Sequence, residues 1–591
     1  MTEAVGARSV AALLEGYARG TLRPVDVLRA TYAAIERRGA DGVWIDRLSF
    51  GEALAQLEAA ESRRRAGAAL PLFGVPFAVK DNIDVAGRMT TAGCPAFAYT
   101  AGRTATVVER LEAAGAVLVG KTNLDQFATG LVGIRSPYGA PASVYHPDYV
   151  PGGSSAGSAV AVAAGLVSFA LGTDTAGSGR VPAAFNGIVG LKPTRGLIST
   201  AGVLPACRSL DCVSIFTETP EDARTIFGVA RGADPADPYS REDGEDAPPF
   251  GPGFRFGVPA PGQREFFGDE AAARLYEDGL VRLERLGGRR VEIDFTPFRA
   301  AAELLYAGPW VAERLAAIRP FFEAQADAMH PVVRSIIGGA TRLGAADAFE
   351  GMYRLQALRK ATLARWGEVD VLALPTAGTI YTRAQVEADP IRLNNNLGYY
   401  TNFVNLLDLA AIAVPAGLRP DGLPFGLSFI APAFHDVALC GLGTAFASGA
   451  LPAPPPRARV RLAVVGAHLA GQPLNGELTV RGARLVRACR TAPAYRLFAL
   501  AGASPPKPGL VRVAGARGAA IEVEVWELEE RPFGALVGKV PPPLAIGSVT
   551  LEDGETVKGF VCEGYAVEEA EDISAYGGWR AYLAARKEEA S

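Results

Sequence analysis

Two short glycine- and serine-rich turns, Gly152-Gly153-Ser154-Ser155 and Ala176-Gly177-Ser178-Gly179, stand near the two ends of the stretch Pro151–Arg180. Glycine lets several backbone N–H groups converge on a point that a side chain would obstruct. A serine hydroxyl in such a turn can act as a nucleophile beside its own oxyanion-binding donors. Taken alone, each turn is equally what a chain needs at the end of a core helix. The run Ala159–Leu171 between them is too apolar for a surface, so its burial would bring both turns to one place. A third group is needed for chemistry, and Lys80 is the candidate. It closes the apolar run Leu72–Val79 and is followed by Asp81 and Asn82. A lysine there is ordinarily a strand end in water, with a pKa of about 10.4. Buried, it would be driven towards the neutral form at ~1.4 kcal/mol per pKa unit, and could then serve as a base.

Two other serine chemistries fit less well. The four histidines, His146, His330, His435 and His468, lie outside this stretch, which leaves little support for a Ser–His–Asp arrangement. Gly153–Gly157 also matches a G-x-S-x-G elbow with Ser155 as nucleophile. That motif needs a strand directly before it, and Asp148–Pro151 reads as a poor one.

The elements that must hold these groups read as alternating helices and strands. Val10–Arg38 gives two short amphipathic helices and Gly51–Arg65 a third. Leu72–Val79, Val117–Gly120 and Val167–Gly172 read as apolar strands, with helices over Thr104–Ala114 and Ala159–Gly165. The alternation predicts an α/β or mixed layered core, without its strand order. Helices then dominate to Asp370, notably Asp269–Leu286 and Ala300–Ala317, and strands return at Val369–Leu374, Ala411–Pro415 and Gly426–Ile430. The Pro-rich segment 451–457 can continue neither a helix nor an interior strand. It is therefore expected to link a domain over 1–450 to a β-rich one over 458–591. In the latter, Arg459–Gly466, Thr479–Val486, Leu510–Val513, Ala520–Trp526, Ser548–Leu551 and Lys558–Cys562 read as strands, and Ser574–Lys587 as a terminal helix.

At 591 residues the chain has room for several domains. A net charge of −4 leaves no basic footprint for nucleic acid. The six cysteines are too few and too scattered for a disulfide framework, and Cys207 and Cys212, which lack the partners of a zinc site, read as buried thiols. MTEAVGARS has no secretory pattern, and no apolar run reaches the ~18 residues of a membrane span. A cytoplasmic protein without metal or organic cofactor is expected.

FGVPFAVKDNID around Lys80, PGGSSAGSA around Ser154 and GTDTAGSGRVPAAFNGIVGLKPT around Ser178 resemble the amidase signature family. The separation of the serines, 178 − 154 = 24 residues, is also the family's. The resemblance implies a Ser–cis-Ser–Lys triad on a mixed β-sheet covered by helices on both faces. Ser178 would be the nucleophile, Ser154 the bridging serine with a cis peptide, and Lys80 the ultimate base. The oxyanion hole would come from the N–H groups of Thr175, Ala176, Gly177 and Ser178. Alanines 156 and 176 stand where the family usually has glycine, which touches geometry more than chemistry.

Within that family, Asn123–Gly139, Leu197–Val213 and Asn395–Leu409 are similar to the allophanate hydrolases, as are VVGAHLAGQPLNGEL and VKGFVCEGYA beyond the Pro-rich segment. This implies cleavage of allophanate, a small carboxylate-bearing urea, to ammonia and N-carboxycarbamate, and overall to two ammonia and two carbon dioxide. Tyr306 and Arg314 in LLYAGPWVAERL would hold the carboxylate; on a continuous helix their spacing puts them roughly on one face. Gly130, Thr401 and Asn402 are further substrate-binding candidates. The second domain resembles a γ-glutamylcyclotransferase-like barrel, implicated in decarboxylation, with His468 as its acting residue and Asn475 nearby. A homodimer and a functional link to a biotin-dependent urea carboxylase are also implied. Three expectations compete with this one. They are an amidase of another small amide, the amidase component of a tRNA-dependent amidotransferase, and a second domain serving only for binding or dimerisation.

Overall fold

Phe77 and Phe169 stack at 5.1 Å with their rings 5° from parallel, and this pair joins two neighbouring parallel strands of the structure's main sheet. The computed structural model describes residues 9–242, 244–451, 459–500, 502, 504–514 and 517–589. It divides into two compact units, Met1–Pro452 and Ala453–Ser591. Apart from Leu451, the expected linker 451–457 lies outside the described residues.

The first unit is built on a mixed sheet of eleven strands among the described residues. Their spatial order is Trp44–Arg47, Val117–Thr122, Pro76–Lys80, Phe169–Asp174, Cys212–Thr217, Val189–Lys192, Leu409–Leu418, Pro424–Pro432, Val371–Pro375, Arg255–Pro259 and Arg289–Ile293. Val117–Thr122, Pro76–Lys80 and Phe169–Asp174 run parallel, so their C-terminal ends lie together. All three are buried along their whole length, which is why they read as continuous apolar runs rather than alternating ones. The register Phe77↔Phe169, Ala78↔Ala170, Val79↔Leu171 brings Lys80 level with the strand end that leads to Ser178.

Helix Ala156–Ala163 starts directly after Ser154-Ser155, and its Ala159 and Val160 pack with Ala78, Ala170 and Phe216 of the sheet. A run of small residues lets helix and sheet approach closely. The same contact holds the turn before the helix against the strand ends. The sequence reading is corrected at two places here. The strand starts at Pro76 rather than Leu72, because residues 71–74 turn and Gly74 takes φ +70° against Pro24. The helix expected over Ala300–Ala317 is two helices, Thr296–Ala307 and Trp310–Gln325, parted at Gly308-Pro309. A Cβ on Gly308 would meet the Leu304 carbonyl at 2.4 Å, and proline cannot continue a helix from within.

The second unit has a five-stranded sheet, in the order Arg484–Arg490, Glu522–Glu529, Arg459–Val464, Thr556–Cys562 and Leu544–Thr550. A three-stranded sheet, Pro508–Arg512, Tyr495–Ala499 and Glu571–Asp572, accompanies it. The strand expected over Thr479–Val486 is displaced: Asn475–Thr479 is a helix, Gly482 turns at φ +73°, and the strand begins at Arg484. Helix Glu530–Val537, which the sequence reading lacked, follows the strand Glu522–Glu529. No helix among the described residues is long and apolar enough to cross a membrane.

Candidate active site

Lys80 Nζ lies 2.8 Å from Ser154 Oγ and 2.8 Å from Thr173 Oγ1, with no exposed surface. Burial lowers its pKa to about 7, although the carboxylates of Asp125, Asp211 and Asp174 pull the other way; Arg314 lowers it further. The parallel strand pair explains the contact, since Lys80 ends one strand and Thr173 lies near the end of its neighbour. The Gly153–Ser154 peptide is cis. Gly153 allows a close approach: a Cβ there would stand 2.2 Å from Asp125 Oδ2. That carboxylate is fixed by the N–H groups of Gly133 and Arg135, each at 2.9 Å. The backbone N–H of Asp125 in turn donates to the Ser154 carbonyl at 3.0 Å.

Ser178 is buried, and its hydroxyl donates to the Gly130 carbonyl at 3.5 Å, the outer limit of a hydrogen bond. Among the described residues no hydrogen bond joins it to Ser154 Oγ, whose donor is Lys80. The loop before it is held from below. Asp174 takes the N–H groups of Gly177 and Gly179 and pairs with the buried guanidinium of Arg180 at 2.9 Å. Burial pushes the Asp174 carboxyl up, but Arg180 and these donors outweigh it and hold the pKa below its ordinary value. Asp211 accepts from the Thr175 hydroxyl and from the Ala206 and Cys207 N–H groups, while burial pushes its pKa up to about 6.

This anchoring corrects one expected donor. The Gly177 N–H is committed to Asp174 Oδ1 at 2.9 Å and does not face outwards. Among the described residues no acceptor takes the N–H of Thr175, Ala176 or Ser178. Gly177 matters for space instead: it takes φ +135°, and a Cβ would lie 2.4 Å from Thr401 Oγ1. Ser155 is excluded as the alternative nucleophile. Its hydroxyl donates to the Thr173 carbonyl at 3.1 Å and accepts the Thr173 N–H at 3.3 Å, and no strand precedes it.

Tyr306 and Arg314 meet although their helix is broken. Arg314 is 2% exposed, with Nη2 donating to the Tyr306 hydroxyl at 3.4 Å and Nη1 to Thr129 Oγ1 at 3.1 Å. Among the described residues Arg314 Nε, Thr401 Oγ1 and Asn402 Oδ1 are buried without a hydrogen-bond partner, which is costly unless a ligand completes them. Tyr306 and Asn402 line a cavity of about 690 Å³ together with Arg299, Glu303 and Tyr399. Thr129 links this region to the nucleophile, because the next carbonyl, that of Gly130, receives the Ser178 hydroxyl.

In the second unit, His468 stacks on Phe560 at 4.8 Å in a small cavity of about 80 Å³ also lined by Glu477, Lys507 and Lys539. Its Nε2 is 3.7 Å from Glu477 Oε2, beyond hydrogen-bond range. Burial lowers the His468 pKa, against the pull of Glu477. The Asn475 side chain donates to the His468 carbonyl at 2.9 Å, so it fixes backbone rather than imidazole.

The sequence reading missed Thr173, Asp125, Asp211, the Asp174–Arg180 pair and Arg135. All except Arg135 serve as partners of groups that the motifs single out. The signal was a polar residue inside an otherwise apolar strand end, as at Thr173-Asp174, or a lone Arg in a Gly-rich loop, as at Arg135.

Comparison with known proteins adds the family. Residues 26–440 match the Amidase family, and residues 460–584 match the family described as Allophanate hydrolase C-terminal domain. The urea amidolyase of Saccharomyces cerevisiae is 45% identical over 582 residues, which is 93% of this chain and 32% of that protein. The chain thus spans about a third of the length of the curated relatives it first matches. A component of the glutamyl-tRNA(Gln) amidotransferase of Chloroflexus aggregans is 35% identical, over 74% of this chain and 95% of that one. The solved structure of Kluyveromyces lactis allophanate hydrolase is 40% identical with a TM-score of 0.76, covering 98% of this chain and 99% of that one. This chain belongs to the amidase family and carries, in its second unit, an allophanate hydrolase C-terminal domain.

Proposed function

We propose that the chain is an amide hydrolase that cleaves allophanate to ammonia and N-carboxycarbamate, with Ser178 as nucleophile. The observation that carries this reading is the 2.8 Å contact of a buried Lys80, its pKa lowered to about 7, with Ser154 Oγ. Neutral Lys80 takes the Ser154 proton as Ser154 takes that of Ser178, and Ser178 Oγ bonds to the terminal carbonyl carbon. The negative charge on the carbonyl oxygen is met by the N–H groups of Thr175, Ala176 and Ser178, a type of donor worth about 3 kcal/mol of barrier each. The proton returns through Ser154 to the departing nitrogen, the C–N bond breaks and ammonia leaves. Water then adds to the carbonyl-enzyme by the same relay and frees Ser178.

Arg314 and Tyr306 hold the substrate carboxylate, since a guanidinium fork and a phenol match its oxygens. Thr401 and Asn402 offer buried polar atoms to the urea. The similarity to Kluyveromyces lactis allophanate hydrolase over nearly the whole of both chains supports this choice of substrate. The test is ammonia release from allophanate and from biuret, its neutral isostere. Arg314→Ala is expected to cut kcat/KM for allophanate by about a hundredfold, and for biuret by only a few fold. Equal losses on both would contradict the carboxylate role.

His468 of the second unit promotes loss of carbon dioxide from N-carboxycarbamate, giving carbamate and then the second ammonia and carbon dioxide. His468→Ala is expected to leave the first ammonia release intact while N-carboxycarbamate accumulates in a ¹³C NMR time course. No accumulation beyond wild type would make that domain non-catalytic. A biotin-dependent urea carboxylase is the proposed upstream source of allophanate; the urea amidolyases, of which this chain matches a third, support that link. A cytoplasmic homodimer completes the proposal.

A further inference from the structure

Arg135 is a second buried guanidinium beside Arg314. It is 2% exposed, and Nη1 donates to the Thr129 carbonyl at 3.0 Å while Nη2 donates to the Pro390 carbonyl at 2.5 Å. Among the described residues its Nε has no hydrogen-bond partner. Thr129 therefore stands between two arginines: Arg135 holds its carbonyl, and Arg314 donates to its hydroxyl and, at 3.3 Å, to the Ala128 carbonyl. Among the described residues neither guanidinium has a carboxylate within ion-pair distance. Both guanidiniums donate to carbonyls and hydroxyls, while Asp125 near Arg135, and Asp211 and Glu313 near Arg314, act on them only from beyond ion-pair distance, so an anion that joins them directly would be favoured.

The loop they hold touches the turns of both serines. The Asp125 N–H meets the Ser154 carbonyl, the Leu131 carbonyl takes the Gly153 N–H at 2.9 Å, and the Gly130 carbonyl takes the Ser178 hydroxyl. Phe127 and Ala128 carry this loop through left-handed backbone at φ +52° and +51°, a region non-glycine residues rarely adopt. The conformation must be imposed from outside, and the two arginines grip the residues that follow it. Gly130 leaves the necessary room, as a Cβ would lie 3.1 Å from Arg135 Nη1 and 2.6 Å from Asp125 Oδ2.

We propose that Arg135 is a positioning residue for carboxylate selection: by fixing the Thr129 peptide it sets Arg314 for the substrate's carboxylate, and its own charge makes the site prefer an anion. This rests on the carboxylate-substrate reading above. The assay is the ratio of kcat/KM for allophanate to kcat/KM for biuret in the intact chain. Arg135→Met is expected to lower that ratio at least about tenfold, mainly through KM for allophanate. Arg135→Lys, which keeps the charge, should restore most of it, which a merely structural role would not require. Thr129→Val removes the hydroxyl under Arg314, leaves the carbonyl under Arg135, and is expected to lower the ratio about fivefold. It carries the test if Arg135→Met does not fold, as judged by circular dichroism. A wild-type preference for allophanate that survives Thr129→Val, or both Arg135 variants unchanged in ratio, overturns the positioning role alone. A wild-type enzyme that does not prefer allophanate over biuret overturns the carboxylate reading and this inference with it.

Discussion

Ser178→Ala is expected to lower ammonia release from allophanate by at least about 10⁴-fold, with little change in melting temperature. The size follows from removing the nucleophile of a relay whose members act as a unit. The unchanged stability follows from the site itself. Ser178 Oγ makes one long hydrogen bond, to the Gly130 carbonyl at 3.5 Å, while the loop is anchored by Asp174 through Gly177, Gly179 and Arg180. Losing the hydroxyl therefore touches chemistry and leaves the anchor alone. Turnover that persisted in the purified variant would remove Ser178 as nucleophile.

Lys80→Met is expected to abolish activity and stabilise the fold. In the folded chain burial holds Lys80 near pKa 7, whereas unfolded it titrates at about 10.4. Between those values the unfolded chain binds the extra proton, so stability rises with pH across that window. The burden is complete below about pH 7, on the order of 5 kcal/mol, and is gone above about pH 10.5. Methionine removes it and leaves the Ser154 and Thr173 hydroxyls without their donor, at about 1 kcal/mol each. The melting temperature of the variant should exceed that of wild type most at pH 6 and least near pH 10. A variant less stable at pH 6 than at pH 10, each measured against wild type, would mean that Lys80 is not held neutral by burial.

What the sequence displayed was chemistry carried on contiguous motifs. Lys80 stands out because it ends an apolar run that does not need it, and Ser154 and Ser178 because they sit in glycine-rich turns on either side of the apolar run Ala159–Leu171. Their convergence rests on two parallel strands with the pairing Phe77↔Phe169, and neither partner can be read from periodicity. Arg314 shows the limit of spacing arguments. Eight residues from Tyr306 suggested one helical face, yet Gly308-Pro309 breaks the helix and the contact arises from two helices meeting at a turn. The oxyanion donors show another limit: four N–H groups in a glycine turn look equivalent in sequence, but Asp174, itself fixed by Arg180, takes that of Gly177. Arg135 shows only as a lone Arg in a Gly-rich loop, which does not reveal its partners. Its meaning lies in Thr129 and Pro390, the latter far along the chain.

The central claim is that a buried lysine, neutral near pH 7, drives serine attack on allophanate. It is tested most directly by kcat/KM for ammonia release from allophanate between about pH 5.5 and about pH 9, which reports ionisations of the free enzyme. The expected profile rises about tenfold per pH unit on the acid side and levels off near pH 7, where Lys80 loses its proton. A profile flat across that range, or one falling as pH rises through 7, would contradict it.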